Sequence, residues 1–235
     1  MTLLELTDVD VFYRDLQAVF GVSLHVDAGE TVAVIGANGA GKSTLLRAMI
    51  GLTQIRRGAI RFHQEDIAHL PCHLLSRRGI AIVPEGRRLF GSLSVEENLL
   101  LAAARARKGP WSLKGVYELF PAMREFCQHR AADISGGQQQ MVAISRALLT
   151  NPDILLCDEL SLGLAPKVIG DIYACFADIR KTGVAIVMVE QDTVRARQQS
   201  DRLYCLLKGR VTLEARSDSV GQDDIRNAYF GETYA

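Results

Sequence analysis

Residues Gly36 to Thr44 read GANGAGKST, and they sit between a β-type run, TVAVI from Thr31 to Ile35, and a helix-type run from Lys42 to Gly51. Strand, glycine loop and helix in that order are what a phosphate cradle needs. The glycines let successive backbone N–H groups turn inward around phosphate oxygens, and the helix N-terminus adds partial positive charge at the same place. Gly36, Asn38, Gly39, Ala40, Gly41, Lys42, Ser43 and Thr44 are therefore the expected nucleotide-binding set, with Lys42 neutralising phosphate and Ser43 ligating Mg²⁺. At average residue usage, this loop pattern arises by chance in roughly one chain of this length per hundred.

Two more segments carry chemistry. ILLCDEL, Ile154 to Leu160, is an apolar strand ending in two adjacent acids, which a strand end tolerates best beside a cation. Behind a phosphate loop, Asp158 is expected to hold Mg²⁺ through water and Glu159 to orient or deprotonate the attacking water. ISGGQQQM, Ile134 to Met141, places Ser135 as the cap of a helix, with Gly136, Gly137 and Gln138 following at its N-terminus. That makes a second anion site in a chain with one triphosphate loop, which fits a nucleotide held by another subunit. Alone, the segment reads equally well as an ordinary cap.

The surroundings of these motifs fix the organisation. β-type runs at Leu3–Tyr13, Val22–Val26 and Thr31–Ile35 precede the first helix, and Gly58–Phe62 and Ile80–Val83 follow it. From Ser94, which caps with Glu97 three residues later, the pattern is helical to Leu149. Strands return at Ile154–Cys157, Val184–Val189, Arg202–Leu207 and Arg210–Leu213, with helices after Pro166, Thr193 and Gln222. The pattern reads as an α/β core with a helical insertion between Pro84 and about Asn151. We read 1–235 as one nucleotide-binding domain, with core 1–86 and 150–235 and helical part 87–149.

Composition narrows the function classes. The chain has 235 residues, 48% of them hydrophobic, with 27 basic and 27 acidic residues. That balance gives no electrostatic case for nucleic acid or an anionic membrane surface. The five cysteines are an odd number and widely spread, as buried thiols in a reducing compartment would be. The N-terminal MTLLELTDVDVFYRDL is acidic and alternating, unlike a signal peptide, and the apolar runs fall short of the ~20 residues that span a bilayer. The chain reads as cytoplasmic. His63, His69, Cys72 and His73 cluster in sequence, but Pro71 interrupts any helix that would align His69 with His73, and no second Cys/His group follows at zinc-finger spacing.

At this point the chain resembles the ATP-binding cassette (ABC) family over essentially its full length, GANGAGKST matching the Walker A loop, ISGGQQ the signature and ILLCDE the Walker B strand. The resemblance implies, in finer detail, an α/β fold with a P-loop NTPase (RecA-like) core, an N-terminal antiparallel β subdomain and an inserted helical subdomain. ATP and Mg²⁺ are implied as cofactors, with a head-to-tail dimer whose signature residues meet the partner's ATP. It implies that Tyr13 stacks on adenine; a lone strand Tyr is otherwise more often simple packing. It also implies ATP hydrolysis carried by Glu159, Lys42 and Gln191. Three departures from the common pattern narrow it further: Glu85 stands where Gln is usual, Gln191 where a switch histidine is usual, and SLGLAP, Ser161–Pro166, where an Asp-containing loop is usual. No histidine follows His129 to take the switch role. Gln191 can still donate to the γ-phosphate but cannot titrate near neutrality, and Glu85 can ligate Mg²⁺ or its water. Leu160 replaces the usual Pro.

VPEGRR, SLGLAP, VEQ and the closing AYFG are similar to the LivF-type ATPase of branched-chain amino acid importers. That resemblance implies transmembrane permease subunits, a second cassette ATPase, identical or related, and indirectly a solute-binding protein, with this chain peripheral on the cytoplasmic face of the membrane. Arg87 and Arg88 lie where the family places its transmembrane contact, or else form a solvated loop. Two rival readings stand beside this one: a soluble regulatory or repair-type cassette, and a non-hydrolysing partner that binds ATP only to complete another subunit's site. Intact Lys42, Asp158 and Glu159 argue against the second.

Overall fold

Strands with both faces apolar must be covered on both sides, and that requirement organises the molecule. The computed structural model describes residues 1–231. In chain order the elements are β1 (Thr2–Tyr13), β2 (Leu16–Asp27), β3 (Thr31–Ile35), α1 (Lys42–Met49), β4 (Ile55–Phe62), β5 (Glu65–Asp66), α2 (Cys72–Arg78) and β6 (Ile80–Val83). There follow α3 (Val95–Ala103), α4 (Leu113–Leu119), α5 (Met123–Phe126), α6 (Gly136–Leu148), β7 (Ile154–Asp158) and α7 (Pro166–Lys181). The chain closes with β8 (Ala185–Glu190), α8 (Thr193–Gln199), β9 (Arg202–Leu207), β10 (Arg210–Arg216) and α9 (Gln222–Phe230).

The larger sheet has the order β10-β9-β3-β8-β7-β6, parallel from β9 through β6, with β10 antiparallel at one edge. Every residue of β3, β7 and β8 is buried. Their alternation divides the core in two. Ala33, Leu155, Cys157, Ile186 and Met188 face the helices that follow β6, together with α7. Val32, Val34, Ile154, Leu156 and Val187 face α1 and the smaller sheet, β2-β1-β4-β5, which is antiparallel throughout. Leu45, Leu46 and Met49 of α1 fill the space between the sheets, each contributing about 1.5–3 kcal/mol by leaving water.

The α/β class, the antiparallel N-terminal sheet and the helices inserted between β6 and β7 agree with the sequence reading. β2 is longer than the run Val22–Val26 because Leu16–Phe20 continues past Gly21, at φ 57°, and pairs with β1 through several bulges. β4 begins at Ile55 rather than Gly58 for the same reason: Gly58, at φ 90°, lies against the carbonyls of Thr7 and Asp8, where a Cβ would fall 2.4 Å from oxygen. β5 and α2 were not expected. α2 starts directly after Pro71. Among the described residues, no helix is long and apolar enough to cross a membrane.

Candidate active site

The phosphate loop is held in shape by contacts that only glycine permits. Gly36, at φ 152°, leaves β3 so close to β9 that a Cβ would sit 2.3 Å from the Leu206 carbonyl oxygen. Gly41, at φ 102°, caps α1 in the left-handed region. The β9–β10 turn closes the loop from behind, where Gly209 N–H donates to the Ala40 carbonyl at 2.9 Å.

Lys42, the first residue of α1, is 4% exposed. Its ammonium donates to the carbonyls of Gly36 at 2.7 Å and Ala37 at 3.1 Å and lies 3.7 Å from Glu159 Oε1. Ser43 donates to Asp158 Oδ1 at 3.0 Å, joining the loop to the end of β7. Glu159 follows, just past the end of β7, at φ 48°, and Gln191 Nε2 donates to its Oε2 at 2.7 Å.

Lys42, Ser43, Glu159 and Gln191 line one cavity of about 420 Å³, bounded also by Asn38, Gly39, Gly41, Thr44, Glu85, Ala18 and Leu162, with Asp158 behind Ser43. Its volume suits a polyphosphate. Ala18 and Leu162 were not expected from sequence. Ala18 arrives through the underestimated part of β2, and Leu162 is one apolar residue of a loop with no chemical signal. Tyr13 stands outside that lining, partly exposed, with its hydroxyl 3.4 Å from Thr44 Oγ1 at the start of α1. Gly36 and Ala40 lie in the same loop without lining the cavity.

Burial, supported by the charges of Glu159 and Glu85, pushes the Asp158 carboxyl up from its ordinary range, while the Ser43 hydroxyl that donates to it pulls the other way. A hydroxyl and a buried carboxylate, with further carboxylate charge nearby, form a hard-oxygen set that fits Mg²⁺. Among the described residues no three His, Cys, Asp or Glu side chains are gathered to hold a metal unaided. Mg²⁺ needs only one or two protein ligands when phosphate and water complete its shell.

The segment Ser135–Gln138 opens α6 away from this cavity. Ser135 Oγ accepts from Gln138 N–H, and Gln138 Oε1 accepts from Ser135 N–H at 2.8 Å, so the Gln138 carbonyl closes the cap instead of pointing outward. The room left by the two glycines is filled from within the chain. A Cβ on Gly137 would fall 2.6 Å from Val168 of α7, and one on Gly136 would fall 3.2–3.4 Å from the Arg87 guanidinium. Packing against α7 is therefore a local reason for glycine at 137, whereas at 136 only a flexible side-chain end stands close. Arg87 is half-buried. Its guanidinium lies on α6, donating to Gln140 Oε1 at 3.3 Å and Gln139 Oε1 at 3.4 Å, and Arg146 binds its carbonyl. Arg87 is thus tied to α6 rather than simply solvated, while Arg88 beside it is exposed.

Behind the cavity lies a group that the sequence reading missed, Glu190. It is 2% exposed at the end of β8 and accepts hydroxyl hydrogen bonds from Ser161, at 2.9 Å, and Tyr173. Burial pushes its carboxyl up, and the two hydroxyls oppose the shift. An acid closing the otherwise apolar AIVMV run was its one sequence signal, one position beyond the expected end of that strand.

Residues 19–161 match the family described as ABC transporter, more than half of the chain. The chain belongs to the ABC transporter family. Among curated relatives, this ABC chain is 42% identical over 232 residues to the high-affinity branched-chain amino acid transport ATP-binding protein BraG of Pseudomonas aeruginosa, covering 97% of this chain and 100% of that one. It is 32% identical over 221 residues to the probable branched-chain amino acid transport ATP-binding protein LivF of Archaeoglobus fulgidus, covering 93% and 94%. Among solved structures it superposes with TM-score 0.82 on a dimeric ATP-binding cassette in a post-hydrolysis state bound to ADP and Pi, at 26% identity over 92% of this chain and 99% of that one. The ABC chain is therefore an ATPase, with ATP as its nucleotide.

Proposed function

We propose that this ABC ATPase is the ATP-hydrolysing subunit of an importer for branched-chain amino acids or related small polar solutes. Residues 1–235 act as one nucleotide-binding unit, core 1–86 and 150–235 with a helical arm 87–149. It works on the cytoplasmic face of the membrane, attached to transmembrane permease subunits served by a solute-binding protein. The observation that carries the hydrolytic half is the single cavity into which Lys42, Ser43, Glu159 and Gln191 all open. The transport half is supported by end-to-end similarity to BraG.

In this reading the loop from Gly36 to Thr44 holds the phosphates and Tyr13 lies beside the adenine. Lys42 exchanges its two loop carbonyls for phosphate oxygens, a charge-assisted contact that strengthens as negative charge moves in the transition state. Ser43, Asp158 and Glu85 would hold Mg²⁺, which supplies charge neutralisation between the phosphates. Glu159 accepts a proton from the attacking water, and Gln191 orients that water while holding the Glu159 carboxylate. Ser135, Gly136 and Gly137 of a second cassette close over the far side of the nucleotide. Gln138 supports that contact through the cap.

Purification of the tagged chain from detergent-solubilised native membranes, with co-purifying chains identified by mass spectrometry, tests this assignment. Two permease chains and a second cassette ATPase are the expected company. Soluble partners alone, with the chain absent from membranes, would refute the importer reading.

A further inference from the structure

Glu159 adopts a left-handed backbone, φ 48°, that a non-glycine residue keeps only when its surroundings hold it there. Three consecutive residues at the end of β8 do so. Glu159 N–H donates to the Val189 carbonyl at 3.1 Å, Ser161 Oγ donates to Glu190 Oε2 at 2.9 Å, and Gln191 Nε2 donates to Glu159 Oε2 at 2.7 Å. The middle link is a buried carboxylate that also takes the Tyr173 hydroxyl of α7, so each carboxylate oxygen has one donor.

From this ring, and resting on the reading of Glu159 as the residue that activates water, we propose that Glu190 is a positioning residue for ATP hydrolysis, clamping Ser161 so that Glu159 and Leu162 face the cavity. Leu162, one residue past the clamp, lines that cavity and is itself exposed. A carboxylate suits the task because it accepts from both hydroxyls at once, whereas an amide has one accepting oxygen. Lying behind Gln191, Glu190 touches the nucleotide only through these neighbours, and its effect falls on the chemical step.

The test compares full-length wild type with Ser161→Ala, Ser161→Thr, Glu190→Gln, the Ser161→Ala/Glu190→Gln double variant and Glu159→Gln. Single-turnover ATP hydrolysis gives the rate, and titration with a non-hydrolysable Mg²⁺–ATP analogue gives affinity. Ser161→Ala removes one hydrogen bond to a charged acceptor, and it is expected to lower the rate by roughly 10-fold to 100-fold. Affinity should stay within about twofold, since ground-state contacts are untouched. Ser161→Thr, which keeps the hydroxyl, restores most of the rate. The double variant is no slower than Glu190→Gln alone, because the two residues act as one link.

A rate within about twofold of wild type in Ser161→Ala would overturn the proposal, as would additive losses in the double variant or equal losses of affinity and rate. Should Glu159→Gln itself keep its turnover, the reading beneath the proposal fails instead, and the two failures are told apart in one experiment. Ser161 is half-buried in a loop outside the sheet, and Ser161→Thr keeps its hydroxyl, so the test survives if Glu190→Gln fails to fold.

Discussion

Gly137 is fixed by a side chain of its own subunit: Val168, in the first turn of α7, occupies the space a Cβ would need. Gly137→Ala is expected to lower unfolding stability by about 1–3 kcal/mol through overpacking, and Val168→Ala in the same chain to recover most of it. Chemical denaturation reads both. Gly136 differs, because the atoms above it belong to the flexible end of Arg87, so Gly136→Ala should cost little stability and displace the guanidinium from Gln139 and Gln140. The residues legible in the sequence were those whose chemistry is local: the loop glycines, Lys42, Ser43 and the acid pair Asp158–Glu159. Glu190 was missed because its surroundings, Tyr173 and Ser161, are distant in sequence, and the contact of Arg87 with α6 was hidden for the same reason.

Two helices carry the same cap and only one of them faces a nucleotide in the proposed dimer. Ser94 caps α3 with Glu97, and Ser135 caps α6 with Gln138, each with both hydrogen bonds of a capping box. Replacing either serine with alanine should lower stability by a similar amount, about 0.5–2 kcal/mol. Only Ser135→Ala should also reduce ATP turnover, and equal effects on turnover would show that α6 acts by packing alone. Both caps were visible in sequence because they are made within four residues. The extents of β2 and β4 were hidden, since Gly21 and Gly58 resemble strand ends until the pairing with β1 shows them to be internal irregularities.

Across the whole molecule, three buried thiols set an alkaline limit. Burial, and after it the charge of Asp178, pushes Cys175 up to about 12 from an ordinary 9.0. Burial likewise raises Cys157 and Cys205. A thiol whose folded pKa is raised contributes stability that is complete below pH 9.0 and is lost as pH rises toward 12, because the unfolded thiol ionises first. Unfolding free energy should therefore fall above pH 9.0 by about 1.4 kcal/mol per pH unit for each thiol still neutral in the fold. Cys175→Ala should flatten that slope even where it lowers stability at neutral pH. The two-sided core that buries these thiols was legible in the uninterrupted apolar runs of β3, β7 and β8. The order of those strands was not, because apolar composition says what is covered and not which strand lies beside which.

The central claim is that ATP is hydrolysed in the cavity between the Gly36–Thr44 loop and the end of β7, with Glu159 activating water. Single-turnover hydrolysis by Glu159→Gln, measured beside its affinity for ATP, tests it most directly. The account predicts binding within about twofold of wild type, turnover reduced by at least roughly 100-fold, and accumulation of ATP-bound dimers. Unchanged turnover would remove Glu159 from its role and contradict the account.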